Sequence, residues 1–158
     1  MPDEKDPVVG MCKLMAKLFA FMAAEVTEQC GAERGEEIIR SAVHKFGVHR
    51  GAVRKAATLA AGKELTLENF EEYSDLPHNN AWDADTVIEG GKLCEYTRYC
   101  PFADTWRELG MEKLGSLYCG VDEALCEGYF GEDFSFARPG GIFSDRADAP
   151  CTMEITVP

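Results

Sequence analysis

The chain has 158 residues, 46% of them hydrophobic and 28% charged, with a formal net charge of −12. That length builds one domain with a core of its own and no need of disulfide staples. The acidity argues against nucleic acid as a partner, because phosphate binding needs clustered Lys and Arg, and it disfavours anionic membranes.

The run Val8 to Ala24 is apolar but interrupted by Lys13 and Lys17, and the residues before it are largely acidic. A signal peptide needs a basic start, and a membrane span needs about twenty apolar residues. The expectation is a cytoplasmic protein with no membrane partner. Val8, Cys12, Met15, Phe19, Met22 and Val26 recur at spacings of three or four, which predicts an amphipathic helix stopped near Gly31. A second helix is predicted from Gly35 to Ala61, carrying Ile39, Val43, Phe46, Val53 and Ala57. Gly47 and Gly51 interrupt it, so a kink or a close helix crossing is expected there. Thr66 caps a short third helix ending near Tyr73. The turn-forming run Leu76-Pro77-His78-Asn79-Asn80 then joins the two halves.

The period changes in the second half. Thr86 to Glu89 and Leu93 to Thr97 flank Gly90-Gly91, the pattern of a β-hairpin with a two-residue turn. Pro101 opens a helix that runs through Phe102 to Leu109 and stops at Gly110. Another helix is predicted from Leu114 to Tyr129. Phe134 to Phe136 and Met153 to Val157 are strand-like, separated by the turn-rich Arg138-Pro139-Gly140-Gly141. The fold class that follows is α+β in a single domain, 1–158. Its helical part spans about 8–80, and it packs with a small, mostly antiparallel sheet of about four strands and two further helices in 81–158.

Seven cysteines is a high and odd number for such a chain. Complete internal pairing is impossible, and a reducing compartment keeps thiols free. Cys12, Cys30 and Cys126 read as small buried hydrophobes. Cys100 precedes Pro101 at a helix N-terminus, where backbone amides lower a thiol's pKa, so a larger thiolate fraction is expected. Cys119 and Asp122 are one helical turn apart and share a face. Either they do chemistry, or Cys119 is core and Asp122 is solvated. Cys151 opens the last strand. Cys100, Cys119 and Cys151 could converge on a soft metal, although no Cys-x-x-Cys pair is present. His44, His49 and Arg50 form a locally basic stretch that could receive a carboxylate. His78, beside Asn79, Asn80 and Trp82, could line a pocket mouth or belong to a polar loop. No phosphate loop, nucleophile elbow or His-Glu-x-x-His motif occurs.

Four segments carry a resemblance: Arg98-Tyr99-Cys100-Pro101-Phe102-Ala103, Glu108-Leu109-Gly110, Tyr118-Cys119-Gly120-Val121-Asp122-Glu123-Ala124 and Pro150-Cys151-Thr152-Met153-Glu154-Ile155. Together with Gly47-Val48-His49-Arg50-Gly51, they are similar to the L-2-amino-thiazoline-4-carboxylic acid hydrolase family. The resemblance implies opening of a cyclic isothiourea to an N-carbamoyl amino acid. It implies Cys119 as nucleophile, Asp122 to bind the amidinium and position water, and Cys100 as a second thiol of the site. Arg50 or Arg98 would hold the substrate carboxylate, with Cys151, His44 and Trp82 around it. No cofactor is expected, unless a metal sits between Cys100, Cys119 and Cys151. The alternative is a sensor-like domain that binds a small molecule or metal without turnover. A homodimer through the helical half is also expected.

Overall fold

The computed structural model describes residues 6–76, 80–140 and 151–158. His78 and its neighbours Pro77 and Asn79 lie outside the described residues, as do Gly141 and Pro150. Helix α1 (Pro7–Cys30) starts where the Asp6 carboxylate accepts the Val8 amide at 2.8 Å and stops at Gly31. Helix α2 (Ala32–Ala60) follows at once and folds back against it. Helix α3 (Leu67–Glu72) is capped as expected, the Thr66 hydroxyl accepting the Asn69 amide at 3.2 Å.

Strands β1 (Asp83–Glu89) and β2 (Lys92–Tyr99) form the hairpin. Gly90 and Gly91 take φ of 59° and 74°, the left-handed pair that a tight hairpin turn demands. Helix α4 (Pro101–Leu109) ends at Gly110 as predicted. Strands β3 (Ser135–Ala137) and β4 (Cys151–Thr156) complete an antiparallel sheet in the order β1-β2-β4-β3. Leu93, Glu95 and Thr97 stand opposite Ile155, Met153 and Cys151. Leu93 and Ile155 are fully buried, so this shared face of β2 and β4 looks inward.

The helix expected over Leu114 to Tyr129 is three pieces. A single turn, α5 (Glu112–Gly115), leads into a 3₁₀ segment over Ser116–Gly120, and α6 runs over Val121–Phe130. Gly115 is pressed onto the Trp106 indole, where a Cβ would collide with the ring. The ring of Tyr118 is stacked on Phe102 at 5.1 Å. Packing therefore tightens the chain just ahead of α6. Cys119 sits in the 3₁₀ segment, and Asp122 lies in the first turn of α6, where the helix dipole favours a carboxylate.

Gly47 and Gly51 do not kink α2, which is unbroken. They make the close crossing instead: a Cβ on Gly47 would lie 2.5 Å from the Ala124 Cβ, and one on Gly51 would strike the Leu125 carbonyl. The α2 and α6 backbones touch there.

By length and composition α1 is apolar enough to cross a membrane despite Lys13 and Lys17, at a mean hydropathy of 1.5 with 28% of the stretch buried, a property that core helices share. Val9, Cys12, Ala16, Ala20 and Ala23 face the core, and Trp106 Nε1 donates to the Ala16 carbonyl at 3.0 Å. Met11, Leu14, Met15, Leu18, Phe21 and Met22 are exposed on the other side.

Candidate active site

A cavity of about 820 Å³ opens between α2, α4, α6 and the inner face of the sheet. Cys100, Cys119, Asp122, Cys151, Arg50 and Trp82 all border it, so elements far apart in the chain bring most of the nominated residues together. Cys100 comes from the N-cap of α4 and Cys151 from the start of β4. Trp82, Phe102 and Tyr118 form an aromatic wall, with Trp82 stacked over Phe102 at 6.3 Å.

At the centre is Arg138, which the sequence reading treated only as part of a turn. Its Nη2 donates to Asp122 Oδ2 at 2.5 Å and to the Cys119 carbonyl at 3.4 Å, and its Nη1 reaches Cys151 Sγ at 3.1 Å. The clue was a lone cation at the end of a strand, immediately before Pro139-Gly140. Glu95 was also missed, although the alternation Leu93-x-Glu95-x-Thr97 puts it on the inward face. Its carboxylate accepts the Thr97 hydroxyl at 2.9 Å.

Arg50 borders the cavity, but Asp75 already holds it, Nε–Oδ2 at 2.6 Å and Nη2–Oδ1 at 2.7 Å. Arg54 shares the same carboxylate at 3.0 Å. The two guanidinium groups thus share Asp75, and the Glu71 carboxylate lies within reach of the Arg54 charge. Arg98 reaches the cavity edge, but its guanidinium is committed to Asp83 and Asp85 on the exposed side of the hairpin. His44 does not border the cavity. It pairs with Glu127 at 2.8 Å on the surface, because the side of α2 that carries it faces solvent.

Burial is the largest influence on Cys100, Cys119 and Cys151. Burial pushes Cys119 far above the ordinary thiol value; the Asp122 charge adds to this and Arg138 opposes it. Burial likewise raises Cys151 against the pull of Arg138. Cys100 corrects the expectation of a lowered pKa. The Ala103 and Phe102 amides and the Trp82 indole do act downward on it, but burial outweighs them and the thiol is raised. Among the described residues, no three His, Cys, Asp or Glu side chains are grouped so that they could hold a metal ion. All seven cysteines are unbonded.

What this arrangement can do is hold a small planar ligand between an aromatic wall and a set of thiols, with both charges at hand. The family model described as L-2-amino-thiazoline-4-carboxylic acid hydrolase matches residues 11–144, a span that includes Cys100, Cys119, Asp122 and Arg138. No curated protein and no solved structure matches the chain. On the family match, over most of its length and across the cavity-lining segments, this chain belongs to the L-2-amino-thiazoline-4-carboxylic acid hydrolase family.

Proposed function

We propose that this protein hydrolyses a small cyclic amidine or isothiourea resembling L-2-amino-thiazoline-4-carboxylate, opening the ring to an N-carbamoyl amino acid. The observation that carries the reading is the meeting of Cys119, Asp122, Arg138 and Cys100 around one cavity of about 820 Å³. That volume suits a small-molecule site.

The Cys119 sulfur attacks the ring carbon that lies between nitrogen and sulfur, forming a new C–S bond and a tetrahedral centre. The ring C–S bond then breaks, and the proton lost by Cys119 ends on the departing substrate sulfur. Water, oriented by Asp122, adds to the same carbon. The bond to Cys119 breaks, its sulfur takes a proton from that water, and the carbamoyl product leaves. One water is consumed and no oxidant or reductant is needed. A cationic substrate beside the buried sulfur favours the thiolate, so activation accompanies binding. Arg50 and Arg54, which both border the cavity, receive the substrate carboxylate.

The test is turnover of L-2-amino-thiazoline-4-carboxylate by the full chain, followed by mass spectrometry as the gain of one water. Cys119→Ala and Cys119→Ser should both abolish it. Full activity in either ends the covalent mechanism, and saturable binding without turnover by the wild type favours the binding-module reading.

Two further proposals accompany this one. The unbonded cysteines support a reducing, cytoplasmic setting. The exposed stripe of α1 supports a homodimer, because a two-fold axis lets the same apolar stripe cover itself.

A further inference from the structure

The charges around the cavity are unequally satisfied. Asp122 is paired with Arg138, and Asp75 with Arg50 and Arg54. Glu71 also borders the cavity, where burial raises its carboxyl pKa and the charge of Arg54 opposes the rise. Glu95 differs from all of them. It stands on the inward face of β2 between buried Leu93 and buried Thr97, opposite Met153, and it borders the same cavity as Asp122 and Cys151. Its one hydrogen-bond donor among the described residues is the Thr97 hydroxyl on Oε1, and the charge of Arg138 reaches it without a direct ion pair among the described residues. A carboxylate placed inward without a paired cation is costly to keep, and such a cost is retained where a ligand relieves it.

We propose that Glu95, rather than Asp122, is the carboxylate that receives the cationic amidine of the substrate, with Thr97 fixing one of its oxygens. The assignment rests on the cyclic-amidine reading above and extends it to specificity. An amidinium offers two N–H donors in one plane, and a carboxylate accepts them as a pair. The pairing holds the ring carbon beside the cysteines and leaves Asp122, tied to Arg138, for water. Burial raises the Glu95 carboxyl pKa and the charges of Asp122 and Glu71 add to the rise, while the Thr97 hydrogen bond and the charge of Arg138 oppose it. An incoming cation adds to the part that Arg138 supplies from a distance.

Two probes of one ring size separate charge from shape: 2-amino-2-thiazoline, cationic at neutral pH, and neutral 2-thiazolidinone. In calorimetric titrations of the full chain, the wild type should bind the cation about tenfold more tightly or better, the scale of one charge-assisted hydrogen bond. Glu95→Gln should erase that preference and raise Tm, whereas Asp122→Asn and Glu95→Asp should keep it. Equal affinities in the wild type overturn the assignment, as does a preference that survives Glu95→Gln. So does a Glu95→Gln chain that unfolds or melts earlier, because Glu95 would then be structural. Turnover is scored separately. A protein that prefers the cation through Glu95 but makes no carbamoyl product keeps this assignment and ends the hydrolase reading.

Discussion

Arg138 contacts Asp122 at 2.5 Å through Nη2 while its Nη1 lies 3.1 Å from the Cys151 sulfur. One side chain thus ties the first turn of α6 to the start of β4. Replacing it with Ala leaves Asp122 without its cation and Cys151 without its donor. Asp122 is 40% exposed, so water screens much of the loss, and the stability cost should be about 1 kcal/mol. The effect on kcat/KM should be larger, a fall of about 100-fold, because the groups that it aligns drift apart. Urea titration and steady-state kinetics on Arg138→Ala read the two separately. A large stability loss with unchanged kcat/KM would make Arg138 a structural tie alone.

Asp75 sets a pH dependence. Burial alone would raise its carboxyl pKa, but hydrogen bonds and charge from Arg50 and Arg54 prevail and hold it at about 2. The folded value lies below the ordinary 3.8, so the contribution is complete above about pH 4. It is lost as the pH falls towards 2. The shift corresponds to about 2 kcal/mol. In urea titrations at a series of pH values, the gap between wild type and Asp75→Asn should stay constant from pH 7 to about pH 5 and close in acid.

Thiol reactivity should run opposite to what the number of cysteines invites. Burial holds Cys119, Cys100 and Cys151 above the usual thiol range, pushes Cys126 up to about 12 and Cys12 up to about 11. Exposed Cys30 should therefore take up iodoacetamide first at neutral pH. The rate at Cys119 should climb with pH, about tenfold per unit, without levelling below pH 10. Peptide mapping of the alkylated protein gives both rates, and a Cys119 that outpaces Cys30 at pH 7 would contradict the resting thiol.

The α2–α6 crossing has no room for a side chain. Gly51→Ala should cost about 1–3 kcal/mol through overpacking, since its Cβ meets the Leu125 carbonyl and lies 2.8 Å from the Gly128 Cα. Gly10→Ala, in open space on α1, should stabilise by up to about 1 kcal/mol. Opposite signs for the two changes, read as Tm, would distinguish packing from helix propensity.

The apolar stripe of α1 makes its own prediction. Wild-type protein should sediment as a dimer, and Leu18→Glu combined with Phe21→Glu as a folded monomer with unchanged far-ultraviolet dichroism. A monomeric wild type would remove the dimer proposal.

Much of the fold was legible in the chain because its signals are local. The Thr66 cap, the Gly90-Gly91 turn, the Gly110 stop and the period of α1 each act within a few residues. The helix over Leu114 to Tyr129 failed as one piece because Gly115 meets Trp106, a contact that no periodicity contains. Of the site, Cys100, Cys119, Asp122 and Cys151 were legible through residue type and family resemblance, and they do border one cavity. His44 lies away from this cavity, on a side of α2 that a basic stretch in the sequence does not identify as inward or outward.

By itself, then, the sequence determined the order of helices and strands, the α+β class and the thiols worth following, because caps, turns and periods are short-range physics. Only the tertiary structure decided which charges meet. Arg138 lies sixteen positions from Asp122 and thirteen from Cys151, and Glu95 faces Met153 across a strand pair. Such neighbours follow from strand register and from how closely the α2 and α6 backbones approach. Burial, which reverses the pKa direction expected for Cys100, exists only once those layers have closed.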